Sequence, residues 1–174
     1  MISPDWCRMM AAYNTEMNRR LYGVADAIPD TARRADRGAF WGSIHGTLSH
    51  LLWGDTIWMS RFDGWERPPV GMKESAGMVE DWVALKAQRV AADARIEDWA
   101  ARLTPARLGE TLVWHSAAAN REMAMPLWIT ATHVFNHQTH HRGQAHALIT
   151  GAGVKTADTD LPWAVDLPAL GLAS

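Results

Sequence analysis

The chain has 174 residues and a formal net charge of −2, and its lysines and arginines are spread along its length. This length suits one domain over residues 1–174, and the absence of a basic cluster argues against nucleic acid as a partner. The first residues lack the features of a signal peptide and no apolar run approaches the ~18 residues of a membrane span, so we expect a cytoplasmic protein with no membrane partner.

The first part of the chain predicts two amphipathic helices. Ser3 and Pro4 are typical of a helix start, and Pro29 ends this first helix. A second helix is predicted for residues 39–62. The apolar stripe of the first helix alternates steps of three and four residues: Trp6, Met10, Tyr13, Met17, Leu21 and Val24.

The third predicted helix has the most regular pattern. One residue of its stripe, Arg89, is charged, and such a residue either extends to solvent at an edge or meets an anion; the pattern favours the edge. The 4-3-4-3 spacing is typical of a helix-bundle seam and comprises Met78, Trp82, Leu85, Arg89, Ala92, Ile96, Trp99 and Leu103.

In the last part of the chain the helical period is interrupted and then resumes. Residues 108–125 are partly β-prone, which predicts a short hairpin or an irregular excursion. Pro126 can then begin a fourth helix that ends at Gly151 and Gly153. The tail, residues 154–174, carries apolar residues and is expected to pack as a strap. The expected fold class is therefore all-α.

Five of the eight histidines lie in the fourth helix, in "HVFNHQTHHRGQAHALITGAG". At 100° per residue, His133, His137 and His141 share one face, whereas His140 lies to the side and His146 points to the opposite side. Imidazoles four residues apart can converge on one ion, so His137 and His141 are candidate metal ligands. Three roles stay open for His133: a fourth ligand, a residue that supports the ligands, or a residue that lines the pocket.

A third ligand is expected from the second helix, "SIHGTLSHLLWGDTIWMSRF". His50 shares its face with small residues that leave room beside the imidazole, including Gly46 and Gly54, while His45 points about 140° away. A lone histidine there would be interpreted as a hydrogen-bonded core residue. Its pairing with His137 and His141 instead favours a metal site.

Other reactive side chains have simpler interpretations. Cys7 excludes an intramolecular disulfide, and we expect a small buried residue rather than a reactive thiol. Asp55 is expected to make a polar pair on the second helix rather than to act as a general base. The tryptophans are assigned mostly to the core, with one or two left to line the pocket: Trp53, Trp58, Trp82, Trp99 and Trp128.

The two histidine-bearing segments, together with "DTDLPW", resemble the DinB family of metalloproteins over nearly the whole chain. The resemblance implies a four-helix bundle with unusual connectivity and frequent homodimers. It implies that His50, His137 and His141 hold a divalent ion, zinc or nickel, and that His140 is not a ligand. Arg142, Gly143 and Gln144 match a family motif that shapes the packing or supports the ligands.

The resemblance also implies a thiol-dependent reaction, because characterised relatives use a small thiol such as mycothiol or bacillithiol. Three neutral imidazoles leave coordination positions open, which is typical of a catalytic ion. We therefore expect a metal-dependent transferase that activates a low-molecular-weight thiol toward a small-molecule substrate. Two alternatives stay open, a hydrolase that uses metal-bound hydroxide and a non-catalytic metal- or ligand-binding protein of a stress response.

Overall fold

A computed structural model of the chain describes residues 1–117 and 119–172. Ala118, inside the predicted excursion, and residues 173 and 174, at the end of the predicted tail, lie outside the described residues. The elements in chain order are α1 (Pro4–Asp26), α2 (Asp30–Arg34), α3 (Ile44–Phe62), a 3-10 segment (Met72–Gly77), α4 (Trp82–Ala101), α5 (Pro105–Gly109), β1 (Thr111–Ser116), β2 (Arg121–Pro126), α6 (Leu127–Gly151), α7 (Leu161–Ala164) and a second 3-10 segment (Pro168–Leu170).

The four long helices are those that the apolar periodicity predicts. Helix α1 packs against α4 and α6, and α3 packs against α6 and α4. Buried apolar side chains fill the space between them, including Leu48, Leu85, Ile96, Phe135 and Ile149. Because α3 lies directly against α6, the two histidine-bearing helices are neighbours.

The prediction that the second long helix begins near residue 39 was wrong. Gly42 has a φ of +73°, in the left-handed region that glycine favours, and its N–H donates to the carbonyl of Ala39 at 2.8 Å. The Ser43 hydroxyl then accepts from the N–H of Gly46 at 3.0 Å and caps α3. Residues 39–42 therefore form a turn ahead of the helix, and this turn carries Trp41.

The fold is mostly helical rather than all-α, because the predicted excursion contains a two-stranded antiparallel sheet. Strands β1 and β2 pair from Thr111 opposite Pro126 to Ser116 opposite Arg121. The N–H of Leu127 donates to the carbonyl of Glu110 at 2.8 Å, so the hairpin closes where α6 begins. The sheet thus leads directly into the helix that carries His137 and His141.

The carboxyl-terminal tail contacts α1. The Tyr13 hydroxyl donates to the carbonyl of Thr159 at 2.5 Å, and Arg20 donates to the carbonyl of Asp158 at 3.0 Å. These bonds tie the tail along the helix, as a strap would lie. The apolar residues of the tail were expected to pack, but one of them, Trp163, is 78% exposed. None of the described helices is long and apolar enough to cross a membrane.

Arg89 does not extend to solvent at an edge of the seam, so the favoured interpretation of this residue was wrong. Its side chain is 2% exposed and forms ion pairs with Asp55 of α3 at 2.6 Å and with Asp93, one turn along α4, at 2.7 Å. Burial opposes the charged guanidinium, but the two carboxylates outweigh this effect and raise the pKa of Arg89 above its usual value. A buried arginine is tolerated here because both of its anionic partners are buried with it.

Asp55 and Asp93 extend this ion pair to the other helices. Asp55 also accepts from the side-chain amide of Gln138 on α6 at 2.9 Å, so its partners lie on α4 and α6 and not, as predicted, on its own helix. Asp93 accepts from the amide of Asn14 on α1 at 3.2 Å, and the carbonyl oxygen of Asn14 accepts from Arg142 of α6. We call Asn14, Asp55, Arg89, Asp93, Gln138 and Arg142 the buried polar network; it crosses all four long helices.

Candidate metal centre

His50, His137 and His141 lie together between α3 and α6. One ring nitrogen from each side chain can be chosen so that all three atoms lie within 4.8 Å of one another. The ring centroids are 4.5 Å apart for His50 and His141, 4.3 Å for His137 and His141, and 5.5 Å for His50 and His137. The residues selected from helical spacing therefore form one cluster, within reach of a single ion.

The orientation of His50 is fixed by Ser75, in the 3-10 segment. The Ser75 hydroxyl donates its proton to the carbonyl of Met72 at 2.6 Å, so it accepts from Nδ1 of His50 at 2.7 Å. This bond places the imidazole proton on Nδ1 and leaves the lone pair of Nε2 free. Burial, with a smaller contribution from His141, lowers the pKa of His50 to about 3, so the ring is neutral at pH 7.

His141 is oriented in the same way by Gln144. Its Nδ1 donates to the amide oxygen of Gln144 at 2.7 Å, which again leaves the lone pair of Nε2 free. Burial lowers the pKa of His141 below its usual value, although the bond to Gln144 opposes this shift. Gln144 thus supports a candidate ligand, and Arg142 of the same motif belongs to the buried polar network.

His137 occupies space that the sequence of α3 provides. A Cβ atom added at Gly54 would lie 2.4 Å from Cε1 of His137, so only glycine leaves room for the ring. Within the described residues, no group hydrogen-bonds the His137 imidazole. Burial, followed by the neighbouring imidazoles of His141 and His50, lowers the pKa of His137 to about 3.

Trp41 packs on the cluster, a position that was not predicted from the sequence. Its ring stacks on His50 with centroids 3.6 Å apart and an interplanar angle of 18°. Its Nε1 is buried without a hydrogen-bond partner in the part of the chain that the structure describes. Gly42 and the cap residue Ser43 could have indicated that the helix begins after Trp41.

The other fourth-helix histidines lie outside the cluster. His133 stacks edge-on against Trp58, with ring centroids 5.1 Å apart, and belongs to no cluster of potential ligands among the described residues. His140 is exposed, and His146 contacts the Thr156 hydroxyl at 3.1 Å on the opposite face of α6. The rings of His133 and His140 lie 5.8 Å from His137 and 4.9 Å from His141 between centroids, but neither residue joins the group of potential ligands among the described residues.

Three further sequence interpretations concern side chains near the site or in the core. His45 points away from the cluster and donates from Nε2 to the carbonyl of Val79 at 2.8 Å. Cys7 is fully buried, which confirms the expectation of a small buried residue, and burial raises the pKa of its thiol to about 12. Trp82 and Trp99 are buried in the core, whereas Trp53 stacks near His50 with centroids 5.6 Å apart.

The donor set has the chemistry that a divalent ion requires. Two of the three rings present an Nε2 lone pair because Nδ1 is already bonded, and the pKa values of His50 and His137 keep both rings neutral. Neutral imidazole is the form that binds zinc and nickel. The residues present therefore fit a bound divalent ion.

Comparison with known proteins gives a family and one similar solved structure. A DinB-like protein from Bacillus cereus ATCC 10987, known from a crystal structure, is 20% identical in sequence; the match covers 83% of this chain and 91% of that chain, with a TM-score of 0.49. No curated protein matches the chain. The sequence profile of the DinB family matches residues 4–169, which include α1 through α7 and all three clustered histidines. The chain therefore belongs to the DinB family.

Proposed function

We propose that His50, His137 and His141 hold a divalent ion, zinc or nickel, in a metal-dependent transferase that activates a low-molecular-weight thiol. The observation that carries the proposal is the cluster itself: three imidazoles from two helices, with one nitrogen of each within 4.8 Å of the others. Three protein ligands leave at least one position for an exogenous group, which is typical of catalytic rather than structural sites.

A divalent ion at this position supplies Lewis acidity that lowers the pKa of a bound thiol. The chain itself holds the ligands in the required protonation state, through the Ser75 and Gln144 hydrogen bonds and through burial. Nε1 of Trp41 has no hydrogen-bond partner among the described residues and is an additional donor beside the cluster. In the transfer step the thiolate sulfur forms a bond to an electrophilic carbon, a leaving group departs with its electron pair, and the thiol proton passes to solvent.

The thiol is proposed to come from a small molecule because the chain cannot supply it. Cys7 is the single cysteine of the sequence, and it is buried in α1 with a pKa raised to about 12. A thiol held in this state is protonated at neutral pH and closed to a substrate. A thiol-dependent reaction in this protein therefore requires a cosubstrate.

We extend the proposal to the whole chain. Residues 1–174 are proposed to form one domain, in which α1, α3, α4 and α6 make a four-helix bundle, and two such domains are proposed to form a homodimer. The pairwise packing of the long helices and the buried polar network between them support the first part. Sedimentation equilibrium of the full chain measures its molecular mass in solution and so tests the homodimer.

The activity is tested with protein loaded with zinc or nickel and supplied with glutathione, bacillithiol or mycothiol. With 1-chloro-2,4-dinitrobenzene as electrophile, we expect thiol consumption and chloride release that require the metal. His137→Ala should abolish the metal-dependent rate, and His140→Ala, an exposed neighbour on the same helix, should retain it. Equal rates with and without metal for all three thiols, or metal-dependent hydrolysis of p-nitrophenyl acetate without any thiol, would contradict a thiol transferase.

A further inference from the structure

Arg61, in the last turn of α3, has a guanidinium group that makes no hydrogen bond and no ion pair within the described residues. Its Nε is buried without a partner. Burial lowers the pKa of Arg61, and the charge of Arg67 lowers it further. Arg61 therefore differs from Arg89, whose charge is balanced by two buried carboxylates.

Two tryptophans hold this guanidinium in place. Its Cζ lies 4.4 Å from the ring centroid of Trp58 and 5.7 Å from that of Trp114 on β1, and the two rings are in edge contact with centroids 5.6 Å apart. A guanidinium that lies over a ring face is attracted to the ring, and its N–H groups stay available to an acceptor. The two rings therefore position Arg61 without neutralising its charge.

Arg61 lies on the face of α3 that carries His50 and Gly54. Residues 50, 54, 57 and 61 follow steps of four, three and four, which keeps them within about 60° of one another around the helix. Gly54 makes room for His137, and Arg61 follows it by seven residues, about 10 Å along the helix axis. The unpaired charge is therefore about two helical turns from the histidine cluster, on the same side of α3.

A row of side chains in contact connects the cluster to Arg61. The ring centroids are 5.8 Å apart for His137 and His133, and 5.1 Å apart for His133 and Trp58. His133 is exposed, and the other members of the row, His137, Trp58 and Arg61, are partly exposed. A ligand that extends from the cluster past His133 can therefore lie along this row and reach the guanidinium.

We propose that the thiol cosubstrate carries a carboxylate and that Arg61 binds it, while the body of the molecule lies along His133 and Trp58. This inference rests on the function proposed above, in which the thiol end lies at the histidine cluster. A guanidinium and a carboxylate form two parallel charge-assisted hydrogen bonds, which are stronger than those between neutral groups. Arg61 therefore selects a thiol acid over a neutral thiol of the same length.

The probes are 8-mercaptooctanoate and 8-mercapto-1-octanol, which differ only in the end group that would face Arg61. Their extended chains are long enough to span two helical turns. Each thiol is titrated calorimetrically into the full-length protein, once loaded with zinc and once free of metal. We expect zinc-dependent binding of both thiols, with the acid bound at least tenfold more tightly than the alcohol.

The outcomes of this titration separate the inference from the function on which it rests. Equal zinc-dependent affinities for the acid and the alcohol would overturn the role of Arg61 and leave the metal-bound thiol in place. If neither thiol bound more tightly to the zinc-loaded protein than to the metal-free protein, the proposed function would fail, and this inference would fail with it.

Arg61→Gln tests the charge directly. The affinity for the acid should fall at least tenfold, to that of the alcohol, while the affinity for the alcohol stays unchanged, because only the acid uses the charge. Arg61→Met, whose unbranched side chain still packs against Trp58 and Trp114, should show the same loss and replaces the glutamine variant if that does not fold. Circular dichroism establishes folding.

Arg95→Gln is the matched control. Arg95 also lies over a tryptophan, 3.8 Å from the centroid of Trp65, and forms no ion pair in the part of the chain that the structure describes, but it belongs to α4, which carries none of the clustered histidines. This variant should keep the full preference for the acid. A folded Arg61 variant that also keeps it would overturn the proposal.

Discussion

At position 54 the absence of a side chain determines where His137 can lie. The His137 ring fills the volume that a Cβ would occupy, since that atom would lie 2.4 Å from Cε1. Gly54 is in the interior of α3, where glycine is less favourable than alanine by about 1 kcal/mol. A glycine with this conformational cost indicates a requirement for space, and the space is used by a candidate ligand.

Gly54→Ala should therefore uncouple folding from metal binding. We expect the helical circular dichroism to be retained, because alanine favours helix, while bound metal falls by about tenfold or more as the His137 ring is displaced. Elemental analysis measures the metal. Gly23→Ala, in α1 with no atom within 4 Å of the added Cβ, is the matched control and should bind metal normally. Full metal content in Gly54→Ala would show that His137 is not held by this contact.

The residues of the site differed in how far the sequence could predict them. His50, His137 and His141 were found because helical spacing fixes which residues share a face. Trp41 and Ser75 were not, because each belongs to a short irregular segment whose position depends on tertiary packing. Periodicity carries no information about such segments, although Gly42 with Ser43 did mark a helix start.

Among the helices, α4 shows best how a sequence pattern can be right about an element and wrong about a residue. Its apolar stripe was predicted correctly, and Trp82, Leu85, Ile96 and Trp99 are buried. Asp93, four residues after Arg89 on the same helix, was within reach by spacing, but the pattern could not show that Asp55, on another helix, would also meet Arg89. Pairing between helices depends on their relative register, which one helix alone does not encode.

Arg89→Met should destabilise the protein strongly, by about 3 to 5 kcal/mol in free energy of unfolding. The change leaves the Asp55 and Asp93 carboxylates buried without their cation, since their side chains are 0% and 6% exposed. Urea denaturation followed by circular dichroism measures the loss. Arg19→Met removes a 69% exposed partner of Glu16 and should have little effect on the free energy of unfolding. Similar losses in the two variants would contradict a structural role for the buried ion pair.

At the scale of the molecule, the buried polar network and the histidine cluster share helices α3 and α6. Asp55 and Gln138 join α3 to α6 by a 2.9 Å hydrogen bond, and His50 and His137 lie within a few residues of them on those helices. The apolar pattern predicted the four helices and their boundaries to within a few residues, but not this polar connection. Periodicity does not show which helices are neighbours. It therefore could not predict which buried polar side chains would meet.

The metal-free protein should lose stability as the pH falls below 6.5. The pKa values of His50 and His137 are lowered from 6.5 to about 3 in the folded chain, so between these values the unfolded chain binds more protons. Their contribution is present above pH 6.5 and declines toward pH 3, by at most about 1.4 kcal/mol per pH unit for each group. Asp93 has an opposite effect, since its burial raises its pKa to about 6.

Urea denaturation of the metal-free protein at pH 7.5, 6.5 and 5.5 measures this slope. The double variant His50→Gln, His137→Gln should show a flatter decline, and the Asp93 contribution cancels in the comparison because both proteins retain it. Identical slopes in the two proteins would contradict the lowered pKa values of these histidines.

The metal content of the purified protein tests the histidine centre most directly. Elemental analysis should find about one divalent ion per chain in the unaltered protein and in His140→Ala, whose side chain is exposed on the same helix. His137→Ala should lose most of this ion and keep its helical circular dichroism. One full equivalent of metal in folded His137→Ala would contradict the assignment of His50, His137 and His141 as the metal ligands.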